Sequence, residues 1–97
     1  MTMEIQSTLL SEVKKAIRLS NSALDSEIQE LIDSAKRDMQ ISGVQEIDET
    51  DTLIIRAIKL YAKANFGLDN AESEKFQQRY DSLKTHLALC GEYNGAV

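Results

Sequence analysis

Residues that break helices are scarce in this chain of 97 residues, and this scarcity limits the folds open to it. It has no proline, and its four glycines lie at positions 43, 67, 91 and 95. Glycine and proline form most of the tight turns between β-strands, so a chain this poor in them favours helices. The first three glycines each follow a stretch whose apolar residues recur every three or four positions. We therefore expect an all-α fold.

These periodic stretches predict a compact four-helix domain that covers residues 1–97. Residues 1–7 show neither a period nor a capping signal and should be frayed, and Thr8 is the expected N-cap of the first helix. Ser22 with Asp25 resembles a capping pair for the second helix. The expected helices span about residues 9–19, 23–42, 52–66 and 71–90, followed by a flexible tail at 91–97.

The third stretch, residues 52–66, is apolar on most of its sides. Its consecutive β-branched residues Ile54 and Ile55 leave a short buried strand as the alternative, but the length and alanine content of the stretch favour a helix. A helix of this kind either lies at the centre of its own domain or presses against a neighbouring molecule. Its aromatic residues and those of the fourth helix should be core or interface residues and not stacking platforms for nucleic acid; they are Tyr61, Phe66, Phe76 and Tyr80.

Charge and composition argue against several classes of function. Sixteen acidic against eleven basic residues give a net charge of −5, which opposes tight binding to the phosphates of DNA. Apolar runs are far shorter than the roughly 20 residues that cross a bilayer, and no export signal is evident. Cys90 is the one cysteine, so we expect an intracellular protein without an intrachain disulfide.

The sequence offers no complete chemical site. His86 and Cys90 lie one helical turn apart, but the chain has no second His or Cys to complete a zinc site; a histidine flanking the core and a half-buried thiol are expected instead. Ser11 and Lys14 match an S-x-x-K pattern without its companion motifs. We predict no catalytic residue, no metal, no cofactor and no enzymatic activity.

Four carboxylates lie between the second and third stretches. Their spacing lacks the alternating ligands and the central glycine of a calcium loop. We expect a solvated loop whose last carboxylates favour the start of the third helix. The four residues are Glu46, Asp48, Glu49 and Asp51.

The order of these elements resembles the small head-tail connector proteins of tailed bacteriophages and prophages, which are often labelled DNA-packaging proteins. The likeness covers about residues 8–93, but the end of the chain at 92–97 lacks the longer arm of some relatives. It is carried by residues 10–20 (LSEVKKAIRLS), 25–37 (DSEIQELIDSAKR), 54–67 (IIRAIKLYAKANFG) and 76–84 (FQQRYDSLK).

This resemblance implies a structural virion protein that assembles as a dodecameric ring beneath the portal. The ring would extend the DNA channel and join head to tail after DNA packaging. Its partners would be further copies of itself, the portal protein and the next connector or tail-completion protein, with DNA as non-specific cargo and no membrane. The implied location is the head-tail interface, after assembly in the cytoplasm of the bacterial host. The alternative is a small helical interaction or regulatory module that forms no ring.

Two sets of charged residues are candidates for contacts within such an assembly. The first set is the carboxylates at 46–51, which we expect to line the channel and keep DNA from adhering to it. The second set is six cations at subunit or portal contacts, where we also expect the surplus apolar surface of the third helix to be buried against identical neighbours. The alternative for both sets is an ordinary solvated surface. The expected subunit or portal contacts are Lys14, Lys15, Arg18, Arg56, Lys59 and Lys63.

Overall fold

A computed structural model describes residues 3–67 and 71–95, and within them the chain forms four α-helices. This confirms the predicted all-α, four-helix fold. The strand alternative for Ile54 and Ile55 is excluded because both lie inside the third helix. The helices are Met3–Ala16 (α1), Asp25–Ile41 (α2), Thr52–Asn65 (α3) and Ala71–Leu89 (α4).

Helix α1 lies further toward the N-terminus than the predicted range 9–19. Residues 3–7 are helical, so the predicted frayed segment is wrong for them, and residues 1–2 lie outside the described part. Thr8 lies within the helix, which excludes the predicted N-cap role.

The C-terminal end of α1 explains why the prediction extended too far. The N–H of Leu19 donates to the carbonyl oxygen of Lys14 at 2.9 Å, and the N–H of Arg18 donates to that of Lys15 at 3.1 Å. These two bonds form a Schellman motif, which needs one residue in the left-handed region. That residue is Arg18, with a φ of 60°. Because the usual glycine is missing, the sequence gives no sign that the helix ends here.

The C-terminal end of α2 has the same arrangement with the expected glycine. The N–H of Val44 donates to the carbonyl oxygen of Met39 at 2.8 Å, and the N–H of Gly43 donates to that of Gln40 at 3.1 Å. Gly43 has a φ of 112°. Val44 and Met39 are both fully buried, which supplies the hydrophobic contact that accompanies this motif. Gly43 therefore ends α2 as the sequence predicts.

The start of α2 differs from the predicted capping pair. Leu24 occupies the N-cap position, and no side chain caps the helix. The Asp25 carboxylate is instead paired with the Lys14 ammonium of α1 at 2.8 Å. The predicted capping role of Ser22 and Asp25 is therefore wrong, because an ion pair between helices holds the carboxylate.

Helix α3 is the centre of the molecule and contacts each of the other three helices. The three helices around it contribute the rest of one continuous apolar core. Of the two positions predicted for an apolar helix, α3 therefore occupies the centre of its own domain. Its buried residues are Ile54, Ala57, Ile58, Leu60, Ala62 and Ala64.

The most exposed large apolar side chains do not lie on α3. Among the described side chains, the large hydrophobic ones that stay exposed are Leu24 and Ile41 of the α2 ends and Leu89 at the end of α4, exposed by 39%, 71% and 80%. On α3, Leu53, Ile55 and Tyr61 are half-buried. The chain itself therefore covers most of the apolar surface of α3, and burial of the remainder against identical neighbours stays a prediction.

Helix α4 is fixed to α2 and α3 through Tyr80, which is fully buried. Its hydroxyl donates to the Asp38 carboxylate at 2.7 Å, and Lys84 donates to the same carboxylate at 2.9 Å. Its ring meets that of Tyr61 edge to face, with centroids 5.2 Å apart. Burial raises the pKa of Asp38, but the hydrogen bonds from Tyr80 and Lys84 outweigh it and hold the pKa below its usual value. The predicted packing role of the aromatic residues is confirmed, since Phe66 and Phe76 also pack against the core.

The residues that follow α4 do not form the predicted flexible tail between 91 and 95. Tyr93 packs against the core, and its carbonyl oxygen accepts the N–H groups of Gln45 at 2.8 Å and Glu46 at 2.9 Å. The chain therefore turns back onto the loop between α2 and α3. Residues 96–97 lie outside the described part.

Replacing Gly43 by alanine should lower the free energy of unfolding by about 1 to 3 kcal/mol. An added Cβ would lie 3.5 Å from that of Ala88, which is ordinary contact, so the loss comes from the positive φ. Gly91→Ala is the matched control, because Gly91 lacks a positive φ and its Cβ would meet nothing within 4 Å; it should change stability by less than about 0.5 kcal/mol. Urea unfolding followed by circular dichroism measures both, and equal losses would contradict the backbone explanation.

Candidate interaction surfaces

The first three of the expected interface cations line one open groove, here called the N-terminal groove. Lys14 is paired there with Asp25, and Lys15 lies 3.5 Å from the carboxylate of Glu12. Arg18 is exposed. The structure thus brings these three cations together, but two of them already have acidic partners in the same chain. The groove is lined by Leu10, Ser11, Lys14, Lys15, Arg18, Leu19, Ser20 and Asp25.

The three expected cations of α3 have different surroundings and do not form one exposed row of charges. Lys59 donates to the Glu12 carboxylate at 3.0 Å, and this hydrogen bond, with the lysine charge, lowers the pKa of Glu12. The Lys63 ammonium lies 5.1 Å from the centre of the Phe76 ring, a cation–π contact with α4. Lys59 and Lys63 therefore hold neighbouring helices to α3, and Arg56 alone of the three is exposed.

Arg56 lies at the rim of a second open groove, between α3 and α4, here called the basic groove. Lys75 and Arg79 of α4 add two further positive charges, and no carboxylate is among its lining residues. Leu60 and Leu83 give it an apolar floor. It is lined by Arg56, Leu60, Lys75, Gln78, Arg79, Ser82 and Leu83.

A third open groove, between α2 and the end of α3, carries the opposite charge and is here called the acidic groove. Glu27 and Glu30 are exposed on it, and no ion pair within the described part of the chain involves either of them. Leu31 and Phe66 are half-buried beside them. It is lined by Glu27, Glu30, Leu31, Ser34, Asn65, Phe66 and Gly67.

The carboxylates of the loop between α2 and α3 are mostly engaged within the chain. Asp48 accepts the N–H of Thr50 at 2.8 Å and its hydroxyl at 2.6 Å, and these bonds lower the pKa of Asp48. Glu49 is paired with Lys36 of α2. Glu46 is exposed, and none of the ion pairs described for this chain includes it. Of the four loop carboxylates, Asp48 and Glu49 therefore have partners within the chain, as does Asp51.

Asp51 is the fourth member, and it confirms that the loop favours the start of α3. As N-cap, its carboxylate accepts the N–H of Leu53 at 2.9 Å and that of Ile54 at 3.3 Å. The Tyr93 hydroxyl donates to the same carboxylate at 3.0 Å. The hydrogen bond to Asp51 is the main cause that raises the pKa of Tyr93. One side chain thus begins α3 and holds the turn after α4.

The remaining sequence candidates are not assembled into a site. His86 is exposed and does not flank the core as predicted, whereas Cys90 is half-buried as predicted. Within the described residues, no three or more His, Cys, Asp or Glu side chains are grouped so that they could hold a metal ion. In the same residues, no helix combines the length and the apolarity that a membrane span requires.

Sequence reasoning missed the residues that give two of the grooves their charge. Lys75 and Arg79 are one helical turn apart on α4, and Glu27 and Glu30 are nearly so on α2, so each pair shares a helix face. This spacing is visible in the sequence and could have identified both charged pairs. The sequence could not show which helices flank each pair, since this depends on how α2 and α4 pack on α3.

Within the described residues, the chain forms four helices around one core and has charged open grooves on its surface. The family model of the phage connector proteins matches residues 9–94, nearly the whole chain. The chain therefore belongs to the phage connector family, which confirms the resemblance seen in its sequence. Its role is that of a phage connector, a component of the virion that contacts other head or tail proteins. No curated protein and no solved structure matches the chain.

Changing Asp51 to asparagine should lower the pH at which Tyr93 ionises, because it weakens the hydrogen bond that holds the Tyr93 proton and removes the negative charge that opposes tyrosinate. The folded-state pKa of Tyr93 lies above the ordinary value, so the contact stabilises the fold below about pH 10. That stabilisation is lost as the pH rises through the folded-state pKa. Ultraviolet absorbance titration measures the change, and the component missing from Tyr93→Phe identifies Tyr93.

Asp48→Asn is the matched control for this titration, since Asp48 bonds to Thr50 and not to Tyr93. It should leave the ionisation of Tyr93 unchanged. An Asp51→Asn variant in which Tyr93 ionises at the same pH as in the unaltered chain would disprove the contact.

Proposed function

We propose that this chain is a structural head-tail connector that assembles as a ring, with twelve copies as the resemblance implies, beneath the portal. The ring extends the DNA channel and joins head to tail once DNA has been packaged. The observation that carries the proposal is the match of the phage connector model over residues 9–94. Each subunit contributes one helical domain, the portal and the next connector or tail-completion protein are its partners, and it assembles in the host cytoplasm.

The distribution of charge on the subunit supports a role in assembly. Lys and Arg side chains line the N-terminal and basic grooves, whereas the acidic groove carries the exposed carboxylates of Glu27 and Glu30. A subunit with complementary charges on two different patches can make head-to-tail contacts, which close into a ring when the rotation between copies allows it. The two faces of a ring built in this way are different surfaces, so each face can bind a different partner.

Among the expected interface residues, Arg18 has a backbone conformation that supports a functional role. It is exposed in the N-terminal groove and has a φ of 60°, a conformation that costs a residue with a side chain about 1 to 2 kcal/mol. A local strain of this kind is a reason to suspect a function. We therefore assign Arg18 to the contact with the portal, whereas Lys14 and Lys15 beside it already have acidic partners within the chain.

Of the four loop carboxylates, Glu46 and Asp48 are the ones we propose to line the DNA channel. Glu49 and Asp51 are half-buried with partners within the chain, whereas Glu46 and Asp48 are exposed, and the bonds of Asp48 to Thr50 leave its negative charge in place. Repeated around a ring, these carboxylates would repel the phosphates of DNA passing through the channel. A ring structure tests this assignment, and a channel lined chiefly by Lys and Arg would overturn it.

Mixing the purified chain with its portal tests the proposed function. The chain should co-elute with the portal, light scattering should give a mass that corresponds to a closed ring of copies, and negative-stain images should show added density at one end of the portal. Copies without the portal are expected to remain monomeric if the portal acts as a template. A chain that stays unattached to the portal would instead support a small helical regulatory module.

An Arg18→Gly variant should separate stability from assembly. Glycine adopts a positive φ without strain, so the free energy of unfolding should rise by about 0.5 kcal/mol or more. Binding to the portal should nevertheless weaken, because the cation is lost. Urea unfolding and co-elution measure the two effects. A variant that is more stable and binds the portal as well as the unaltered chain would remove Arg18 from the interface.

A further inference from the structure

We propose that neighbouring copies of this chain join by placing the acidic groove of one copy against the basic groove of the next. The inference rests on the proposed ring and names the surfaces that build it. The acidic groove contributes Glu27 and Glu30, and the basic groove contributes Arg56 and Arg79 with Lys75. The occupant of each groove is therefore a second copy of the chain.

The charges of the two grooves are opposite and mostly unpaired within one copy. No ion pair in the described part of the chain involves Glu27, Glu30 or Arg56. Lys75 has an exposed partner, Glu72, at 3.5 Å, and an exposed pair of this kind contributes little and is easily exchanged. An oppositely charged surface would therefore gain contacts at both grooves without breaking a buried pair.

The spacing of the charges also matches. Glu27 and Glu30 are three residues apart on α2, while Lys75 and Arg79 are four apart on α4. Both spacings place the Cβ atoms roughly 5 to 6 Å apart on one helix face. Two helices of neighbouring copies laid along each other can therefore match two carboxylates to two cations.

Each groove has an apolar floor that such a contact would cover. Leu31 and Phe66 are half-buried in the acidic groove, and Leu83 is half-buried beside Leu60 in the basic groove. Protein interfaces commonly have an apolar centre and a polar rim. Opposite charges around two apolar floors have this arrangement once the grooves meet.

The N-terminal groove is a weaker match for the acidic groove. Its Lys14 is already paired with Asp25 at 2.8 Å, and the side chain of Lys14 is largely buried. Lys15 has Glu12 as a partner. A neighbour's carboxylates would have to displace these partners, whereas Arg56 has none to displace. The N-terminal groove therefore remains available for the portal.

The two grooves are built from different helix pairs, α2 with the end of α3 and α3 with α4. A contact between them is consequently head-to-tail, so an open row of copies has one free groove at each of its two ends until the last copy closes the ring. Because the contact joins two different grooves, two variants with opposite charge reversals can be mixed to restore it, which is a stricter test than removing charge from one groove.

Two reversal variants test the pairing on the portal. One carries Arg56→Glu and Arg79→Glu, and the other carries Glu27→Lys and Glu30→Lys. Each alone faces like charge with like charge, and the concentration needed to form rings should rise by at least about tenfold. An equimolar mixture should recover ring formation with the two variants alternating, because every contact then joins opposite charges. Negative-stain microscopy and light scattering report ring formation, and circular dichroism confirms that each variant is folded.

Arg37→Glu and Glu92→Lys are the matched controls, since both residues are exposed and lie outside the two grooves. They should form rings as the unaltered chain does. Reversal variants that assemble normally, or a mixture of folded variants that fails to recover, would overturn the pairing of the grooves alone. An unaltered chain that forms no ring on the portal would overturn the proposed function and this inference with it.

Discussion

The enclosure of α3 by the other three helices is the constraint on which the rest of the structure depends. Each buried Ile or Leu of a core contributes roughly 1.5 to 3 kcal/mol by leaving water, and α3 supplies a large share of the core. Because α1, α2 and α4 must all lie against it, the molecule can offer partners the outward faces and ends of these three helices and the exposed edge of α3 at Arg56. The charged grooves lie where these helices meet.

Polar contacts fix the helices around α3 in one arrangement. Lys59 joins α3 to α1 through Glu12, Lys14 joins α1 to α2 through Asp25, and Asp38 joins α2 to α4 through Tyr80 and Lys84. These contacts are largely at the edge of the core, where they cost less in desolvation than a buried charge would. These contacts define which grooves form. Lys14 and Lys59, which the sequence predicts as interface residues, therefore serve to hold the helices of one chain together.

Apolar periodicity and glycine positions were sufficient to predict α2, α3 and α4 to within two residues at each end. They failed for α1, whose left-handed stop is an arginine, and for the turn around Tyr93, whose contacts depend on a loop more than forty residues earlier in the chain. The predicted interface cations were separated for the same reason. Periodicity shows which residues share a helix face, but only packing shows which helix covers that face.

We propose that each copy encloses α3 by itself and uses its outer grooves for assembly. Hydrogen exchange measured by mass spectrometry on the free chain and on the portal-bound chain distinguishes this from a core that forms only on assembly, since core amides exchange only through the largest unfolding events. We expect α3 to be strongly protected already in the free chain and to change little on assembly, while α2 and α4 gain protection at the grooves. Rapid exchange of α3 in the free chain, with protection that appears only on assembly, would contradict it.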